Sequence, residues 1–263
     1  MTSAHRPRKR FGQNFLHDRG SLERMLAAID PQPGQALVEI GPGQGALTWD
    51  LLSRLGRLEV IELDRDLCAR LETERSRHPG ELIIHSGDAL KTDFCALEQP
   101  PPLRVVGNLP YNISTPLLFH LLGQAGCIRD MHFLLQKEVV ERMAAAPGGK
   151  DYGRLSVMLQ MLCEVEPLFT VGPGAFRPPP KVDSAFVRLT PLPTPRYAID
   201  PERFAGRVRL AFAQRRKTLR NNLKGVIDAA QLEAAGIDPG RRAETLTLEE
   251  FARLSMLPSL QDG

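Results

Sequence analysis

Short apolar runs alternate with stretches of helical period through most of the chain. Residues 36–40, 58–63, 82–85, 103–106 and 131–135 are brief and rich in Val, Ile and Leu, as strands buried on both faces are. Between them leucines recur at helical spacing: Leu47, Leu51, Leu52 and Leu55 after the first run, Leu117, Leu118, Leu121 and Leu122 after the fourth. Residues 66–77 read as a helix after the second run. Upstream, Asp18 is placed to cap a helix with Leu22, Met25, Leu26 and Ile29 on its buried face, ended by Pro31, Pro33 and Gly34. Strand and helix in strict alternation predict an α/β fold, a mostly parallel sheet with helices on both faces. A helix over 154–162 then leads to two β-prone runs, 165–171 and 182–189, expected to pair antiparallel at one sheet edge. Between them Pro178, Pro179 and Pro180 impose a stiff extended loop.

The pattern changes at Pro191-Leu192-Pro193-Thr194-Pro195, read as a linker. Beyond it helices are predicted over 204–214, 219–227, 229–235 and 248–254, the last capped by Thr247. Two domains follow: a catalytic α/β domain over 1–192, with a basic N-terminal arm over 1–17, and a small helical domain over 198–263. The net charge of +3 is segregated. Residues 1–10 hold four Arg or Lys and no acid, and residues 203–224 hold eight and no acid, so the remainder is acidic. Two basic blocks on an acidic body read as a footprint for a polyanion. Arg8, Lys9 and Arg10 in the arm and Arg215, Arg216, Lys217 and Arg220 in the tail are the expected contacts. Phe11 and Phe15 suggest that the arm docks onto the body.

Composition is that of a globular protein, at 42% hydrophobic and 25% charged. No run reaches the length of a membrane span and no signal-peptide core is evident. Cys68, Cys95, Cys127 and Cys163 are scattered without a C-x-x-C pair, so neither a zinc site nor a disulfide is expected, and a reducing cytoplasm fits.

Glu39-Ile40-Gly41-Pro42-Gly43-Gln44-Gly45 joins a strand to a helix. Gly41 and Gly43 allow a sharp turn and close approach to a ligand. Glu62, at the end of the next strand, is placed to take two ribose hydroxyls of an adenosine-containing cofactor. Asp88, read as ending the third strand, is placed to meet the adenine amino group. The G-x-G-x-G turn with Pro42 inside it, lacking a third glycine at the dinucleotide offset, favours S-adenosylmethionine over NAD. Glu39 reads equally as an exposed strand residue or as a group orienting the cofactor's amino-acid end. Asp64 reads as the first residue of a helix.

The fourth strand runs into Gly107-Asn108-Leu109-Pro110-Tyr111-Asn112. Asn108 offers an amide oxygen, Leu109 a backbone carbonyl, Pro110 a fixed φ, and Tyr111 a ring on which a base stacks. Two acceptors facing an adenine N6 would hold it pyramidal, with its lone pair aimed at an electrophilic methyl. Positioning and electrostatics then suffice, with no metal. A base must leave its stack to enter such a site. Phe176, on the proline-stiffened loop, is either a second stacking wall or ordinary packing.

Taken with Arg10-Phe11-Gly12-Gln13-Asn14-Phe15-Leu16, Ile61-Glu62-Leu63-Asp64, Tyr152-Gly153-Arg154-Leu155-Ser156 and the stretch from Phe176 to Ser184, these motifs resemble the KsgA/RsmA family of small-subunit ribosomal RNA adenine dimethyltransferases. The basic tail around Gln214 to Leu223 also fits. The resemblance implies a Rossmann-like methyltransferase sheet, S-adenosyl-L-methionine as donor, and four methyl transfers that convert two adjacent adenosines near the 3′ end of 16S rRNA to N6,N6-dimethyladenosine. It places Asn14 and Leu16, which the residues alone do not, beside Gly41, Gly43, Glu62, Asp88 and Asn108 around the cofactor. It further implies a cytoplasmic monomer acting on an immature small ribosomal subunit during its biogenesis. The alternatives are a 23S rRNA dimethyltransferase of the antibiotic-resistance type, a non-catalytic ribosome-assembly factor that binds RNA, and a nicotinamide-dependent oxidoreductase.

Overall fold

The structure is a computed structural model that describes residues 13–260. Two compact units divide the chain. The first comprises Met1–Val140 and Glu166–Pro191, the second Glu141–Val165 and Leu192–Gly263. The segment Glu141–Val165, which the sequence reading put in the catalytic domain, therefore groups with the helical tail.

In the first unit the elements are β1 (Phe15–Leu16), α1 (Arg19–Ile29), β2 (Leu37–Ile40), α2 (Thr48–Leu55), β3 (Arg57–Glu62), α3 (Arg65–Arg75), β4 (Glu81–Ser86), β5 (Leu103–Asn108), α4 (Ser114–Leu122) and β6 (Ile128–Gln136). After α5 (Lys137–Met143) and α6 (Arg154–Leu162) come β7 (Cys163–Val171), β8 (Phe176–Arg177) and β9 (Ser184–Pro191). The sheet order is β4-β3-β2-β5-β6-β9-β7, with β2 to β6 parallel and β9 antiparallel to β6. The two late runs are indeed neighbours at one edge. Chain order reverses between β2 and β5, so their carboxyl ends frame the crevice where open α/β sheets bind ligands.

Local chemistry explains these boundaries. Asp18 caps α1 by accepting from the Ser21 N–H at 2.8 Å, and Leu22, Met25, Leu26 and Ile29 are all buried. Each such side chain contributes about 1.5–3 kcal/mol by leaving water. Asp64 caps α3 in the same way, as its position predicts. Strand β5 runs to Asn108, past the expected stop at Val106, because Gly107 lies against Ile40 of β2. A Cβ at Gly107 would stand 2.5 Å from the Ile40 carbonyl oxygen, so only glycine keeps the two strands in register here.

Cys95 and Cys127 form a disulfide, against expectation. Thirty-two residues separate them, and the fold brings together the short turns Phe94–Ala96 and Ala125–Cys127, both bonded to Gln124. The cysteine pattern therefore no longer speaks for a reducing compartment. Cys68 and Cys163 are buried free thiols.

The second unit contains α6 together with α7 (Pro201–Ala211), α8 (Leu219–Asn222), α9 (Ala229–Ala234) and α10 (Leu248–Met256). The helix expected over 219–227 is a single turn; the chain passes through Gly225 at φ 81°, where a helix cannot continue. Thr247 and Glu250 cap α10 reciprocally. No helix among the described residues is long and apolar enough to cross a membrane.

Candidate active site

A cavity of about 1180 Å³, counting its part open to solvent, occupies the crevice at the carboxyl ends of β2, β3 and β5. Its floor is the turn after β2. Gly41 and Gly43 sit at φ 66° and 58°, and the Gly41 N–H is bonded to the Ile61 carbonyl at 2.9 Å. The turn thus closes onto β3 and brings Gly43 N–H to 3.2 Å from a Glu62 carboxylate oxygen. The other Glu62 oxygen accepts from the Asp64 N–H at 2.8 Å. Burial pushes the Glu62 carboxyl above its ordinary value, and these hydrogen bonds pull against the shift.

Asp88 lies two residues beyond β4 rather than at its end. One of its oxygens caps the Ala89–Lys91 turn through the Leu90 N–H at 3.0 Å, and the residue lines the cavity. Glu39 is not an exposed strand residue. It is buried, lines the cavity, and accepts from the Thr48 hydroxyl at 2.6 Å. Burial, opposed by that bond and reinforced by Glu62, raises its pKa to about 7.

Asn14 and Leu16 line the same cavity, as do Gly41, Gly43, Glu62 and Asp88. They arrive there because β1 pairs antiparallel with β8, Leu16 opposite Phe176 and Phe15 opposite Arg177. Of the arm's two phenylalanines, Phe15 packs against the Gly43 turn and lines the cavity; Phe11 lies outside the described residues, as do Arg8, Lys9 and Arg10.

At the end of β5 the four residues of the motif divide their hydrogen bonds. Asn108 Nδ2 donates to the Asn14 carbonyl at 3.1 Å, which turns the amide oxygen the other way. Neither that oxygen nor the Leu109 carbonyl accepts a hydrogen bond among the described residues. The next two carbonyls are occupied: Pro110 by the Ile113 N–H at 3.2 Å, Tyr111 by the Ser114 hydroxyl at 3.1 Å. Tyr111 is half-buried, lines the cavity, and shares a hydrogen bond with Ser184 at 2.9 Å. Phe176 does not line this cavity. It is 2% exposed and packed in the core with Leu16 and Leu22, held there by the β1–β8 pairing, so ordinary packing is what this structure gives it.

The described lining residues include three carboxyl groups, Glu39, Glu62 and Asp88, and neither Lys nor Arg. A pyrophosphate finds no cation in such a wall, whereas a ligand carrying positive charge and hydroxyls finds acceptors. The donor set therefore fits S-adenosyl-L-methionine, with its sulfonium and ammonium groups, better than a dinucleotide. Sequence reasoning missed Thr48 and Ser184, which secure Glu39 and Tyr111. Ser184 lies 73 residues from Tyr111, and Thr48 reaches Glu39 only because the glycine turn folds α2 back over β2.

In the second unit, Arg216, Lys217 and Arg220 are exposed. Arg215 is already engaged, with Glu244 at 2.9 Å and with the Lys150 carbonyl. Arg207, in the same basic run, is buried and donates to Leu257 and Ser259.

A seven-stranded sheet of this order, with acids at or just beyond successive strand ends around one cavity, is that of a Rossmann-like methyltransferase. Residues 4–258 match the family model described as ribosomal RNA adenine dimethylase. Ribosomal RNA small subunit methyltransferase A of Nitrosococcus oceani is 61% identical over 259 residues, 97% of each chain. The protein so named in Pseudomonas putida is 60% identical over 95% of this chain and 94% of its own. Among solved structures, a dimethyladenosine transferase from Plasmodium falciparum superposes with a TM-score of 0.78 at 26% identity, over 91% of this chain and 95% of its own. The 23S rRNA methyltransferase ErmE gives 0.68 at 29% identity, over 92% and 98%. The chain belongs to the ribosomal RNA adenine dimethylase family.

Proposed function

We propose that this protein transfers methyl groups from S-adenosyl-L-methionine to N6 of two adjacent adenosines near the 3′ end of 16S rRNA, making N6,N6-dimethyladenosine at each. One observation carries this reading: among the described residues the amide oxygen of Asn108 and the carbonyl of Leu109 at the strand end accept no hydrogen bond, while the next two carbonyls are taken. When bound, the cofactor supplies an electrophilic methyl on a sulfonium. Glu62 and Asp88 hold its ribose and adenine, and Asn14, Leu16, Gly41 and Gly43 enclose it. Asn108 and Leu109 accept N6–H bonds and thereby direct the nitrogen lone pair. Pro110 fixes the backbone, and Tyr111 stacks the flipped base. A monomethylated adenine retains one N6–H, so the same pair of acceptors serves the second transfer.

The small-subunit rRNA follows from the relatives rather than from the cavity. An immature small subunit in the cytoplasm is the substrate we infer, met by a monomer through its basic residues. Arg216, Lys217 and Arg220, free of intramolecular ion pairs to acids in the described structure, are the strongest tail contacts; Arg215 and the arm residues Arg8, Lys9 and Arg10 complete the footprint. Unmodified small and large ribosomal subunits, each incubated with the protein and labelled S-adenosyl-L-methionine, test the reading. Label is expected as dimethyladenosine in the small subunit alone. Label in the large subunit only would replace it with the 23S assignment.

A further inference from the structure

We propose that Ser184 is the positioning residue of the base-stacking tyrosine, setting the axis of the Tyr111 ring through the hydrogen bond between their hydroxyls; this rests on the adenine N6 reading above. Ser184 is 1% exposed and opens β9. Its place is secured on both sides: it stands opposite Gln136 in the β6–β9 ladder, and the preceding Asp183 carbonyl accepts from the Lys137 N–H at 2.9 Å. The hydroxyl of this immobile residue lies 2.9 Å from Tyr111 Oη, within the range of a well-formed O–H···O bond. Tyr111 is thus tied at two points, its carbonyl to Ser114 and its phenol to Ser184. With Cα and Oη both fixed, the ring cannot swing about χ1.

The reaction requires that restraint. A nitrogen must approach the methyl within about 3–3.5 Å and in line, and a stacked base takes its plane from the ring beneath it. A swinging ring would shift N6 away from Asn108 and Leu109. The demand grows for the second transfer, because the monomethylated base must seat with its one remaining N6–H on an acceptor and its methyl elsewhere. The phenol itself takes no part as an acid or base: burial pushes it above its ordinary value, against the opposing bond to Ser184, so it stays neutral. Ser184 therefore acts through Tyr111, and the geometry gives it no contact with the substrate.

The experiment measures single-turnover methyl transfer by the full chain to unmodified small ribosomal subunits, with mono- and dimethyladenosine quantified separately. Ser184→Ala and Tyr111→Phe each remove the same bond. Each is expected to slow transfer about three- to tenfold, most strongly at the second methyl, so that monomethyladenosine accumulates. The double variant should be no slower than the slower single one, and Ser184→Thr should restore most of the rate. S-adenosyl-L-methionine affinity, read by calorimetry, should hold constant throughout. Wild-type rate and product ratio in Tyr111→Phe, multiplicative losses in the double variant, or a rate loss that tracks weakened cofactor binding would each overturn the proposal. Should Ser184→Ala not fold, Tyr111→Phe and Ser184→Thr decide the matter on the same readouts. If the unsubstituted protein leaves adenine N6 unmethylated, the functional reading itself fails, which is a separate result.

Discussion

Strand β5 has polar residues at both ends, and they are treated in opposite ways. At its start, Arg104 is 6% exposed, and all three nitrogens of its guanidinium donate. Nε bonds both oxygens of Asp130 at 3.0 and 3.1 Å, one terminal nitrogen reaches Gln35 and the Asp30 carbonyl, the other the Ile29 carbonyl. At its finish, Asn108 spends its amide nitrogen on Asn14 and keeps its oxygen. Cutting a closed network of buried charges is costly, because a gap in it strands a charge or a polar group in low dielectric. An open one has acceptors left for a ligand. Both ends show hydrogen bonding over long sequence distance, and the difference lies in whether it is completed within the chain.

The two ends also answer pH with opposite sign. At the closed end, burial alone would raise Asp130, but His132 at 3.4 Å and the Arg104 guanidinium that donates to it outweigh burial and hold the carboxyl below its ordinary value. Its contribution to stability is complete above the ordinary carboxylate value and is lost as pH falls through the lowered one. In the cavity beside the open end, Glu39 of β2 is raised, from 4.5 to about 7, chiefly by burial. Its contribution is complete below the ordinary value and is lost as pH rises through about 7.

The sharpest way to break this comparison is to cut each end in turn. Arg104→Ala takes from the half-buried Asp130 its guanidinium partner, leaves the Asp30 and Ile29 carbonyls of that network without this donor, and should lower unfolding stability by about 3 kcal/mol in urea titration. Methyl transfer per folded molecule should be near normal at low temperature. Asn108→Ala should do the reverse, reducing methyl transfer about a hundredfold or more while the urea midpoint barely moves. Equal effects on stability and rate at either site would dissolve the distinction between the ends. Glu39→Gln sharpens the electrostatic side: between pH 5 and 8 the parent should lose up to about 3 kcal/mol that the Gln variant retains. Parallel stability–pH curves would show that Glu39 does not titrate there. The smallest effect concerns the basic tail. Replacing Arg216, Lys217 and Arg220 with Ala should weaken RNA binding and flatten the log–log salt dependence by about 0.7–0.9 per lost phosphate contact. An unchanged slope would remove the tail from the footprint.

Much of the fold is legible in the sequence because its signals are local. The apolar runs, the caps at Asp18, Asp64 and Thr247, and the glycines of the turn after β2 each act within a few residues. The site is legible for the same reason wherever strand ends carry it: Glu62, Asn108 and Tyr111 all line the cavity, as their places in the pattern imply. Four features were not legible. Phe176 reads from sequence equally as a stacking wall or as ordinary packing, and only its pairing opposite Leu16 shows that it is held in the core. Cys95 and Cys127 have no motif, yet two distant turns meet at Gln124. Glu39 carries no mark of burial until α2 supplies Thr48. Residues 141–165 continue the catalytic domain in sequence but group with the helical unit.

The sequence by itself therefore determined the alternation of elements, the glycine turn, and the acids and the Asn108–Tyr111 motif that line the cavity, since each depends on periodicity or on neighbours along the chain. Only the tertiary structure decided which of those polar groups are already satisfied and which are left open. That distinction depends on partners such as Asn14 for Asn108, Ser184 for Tyr111 and Asp130 for Arg104, brought together by strand register and not by spacing. A residue's type sets what it can bond, but its reactivity is what remains after the fold has used the rest.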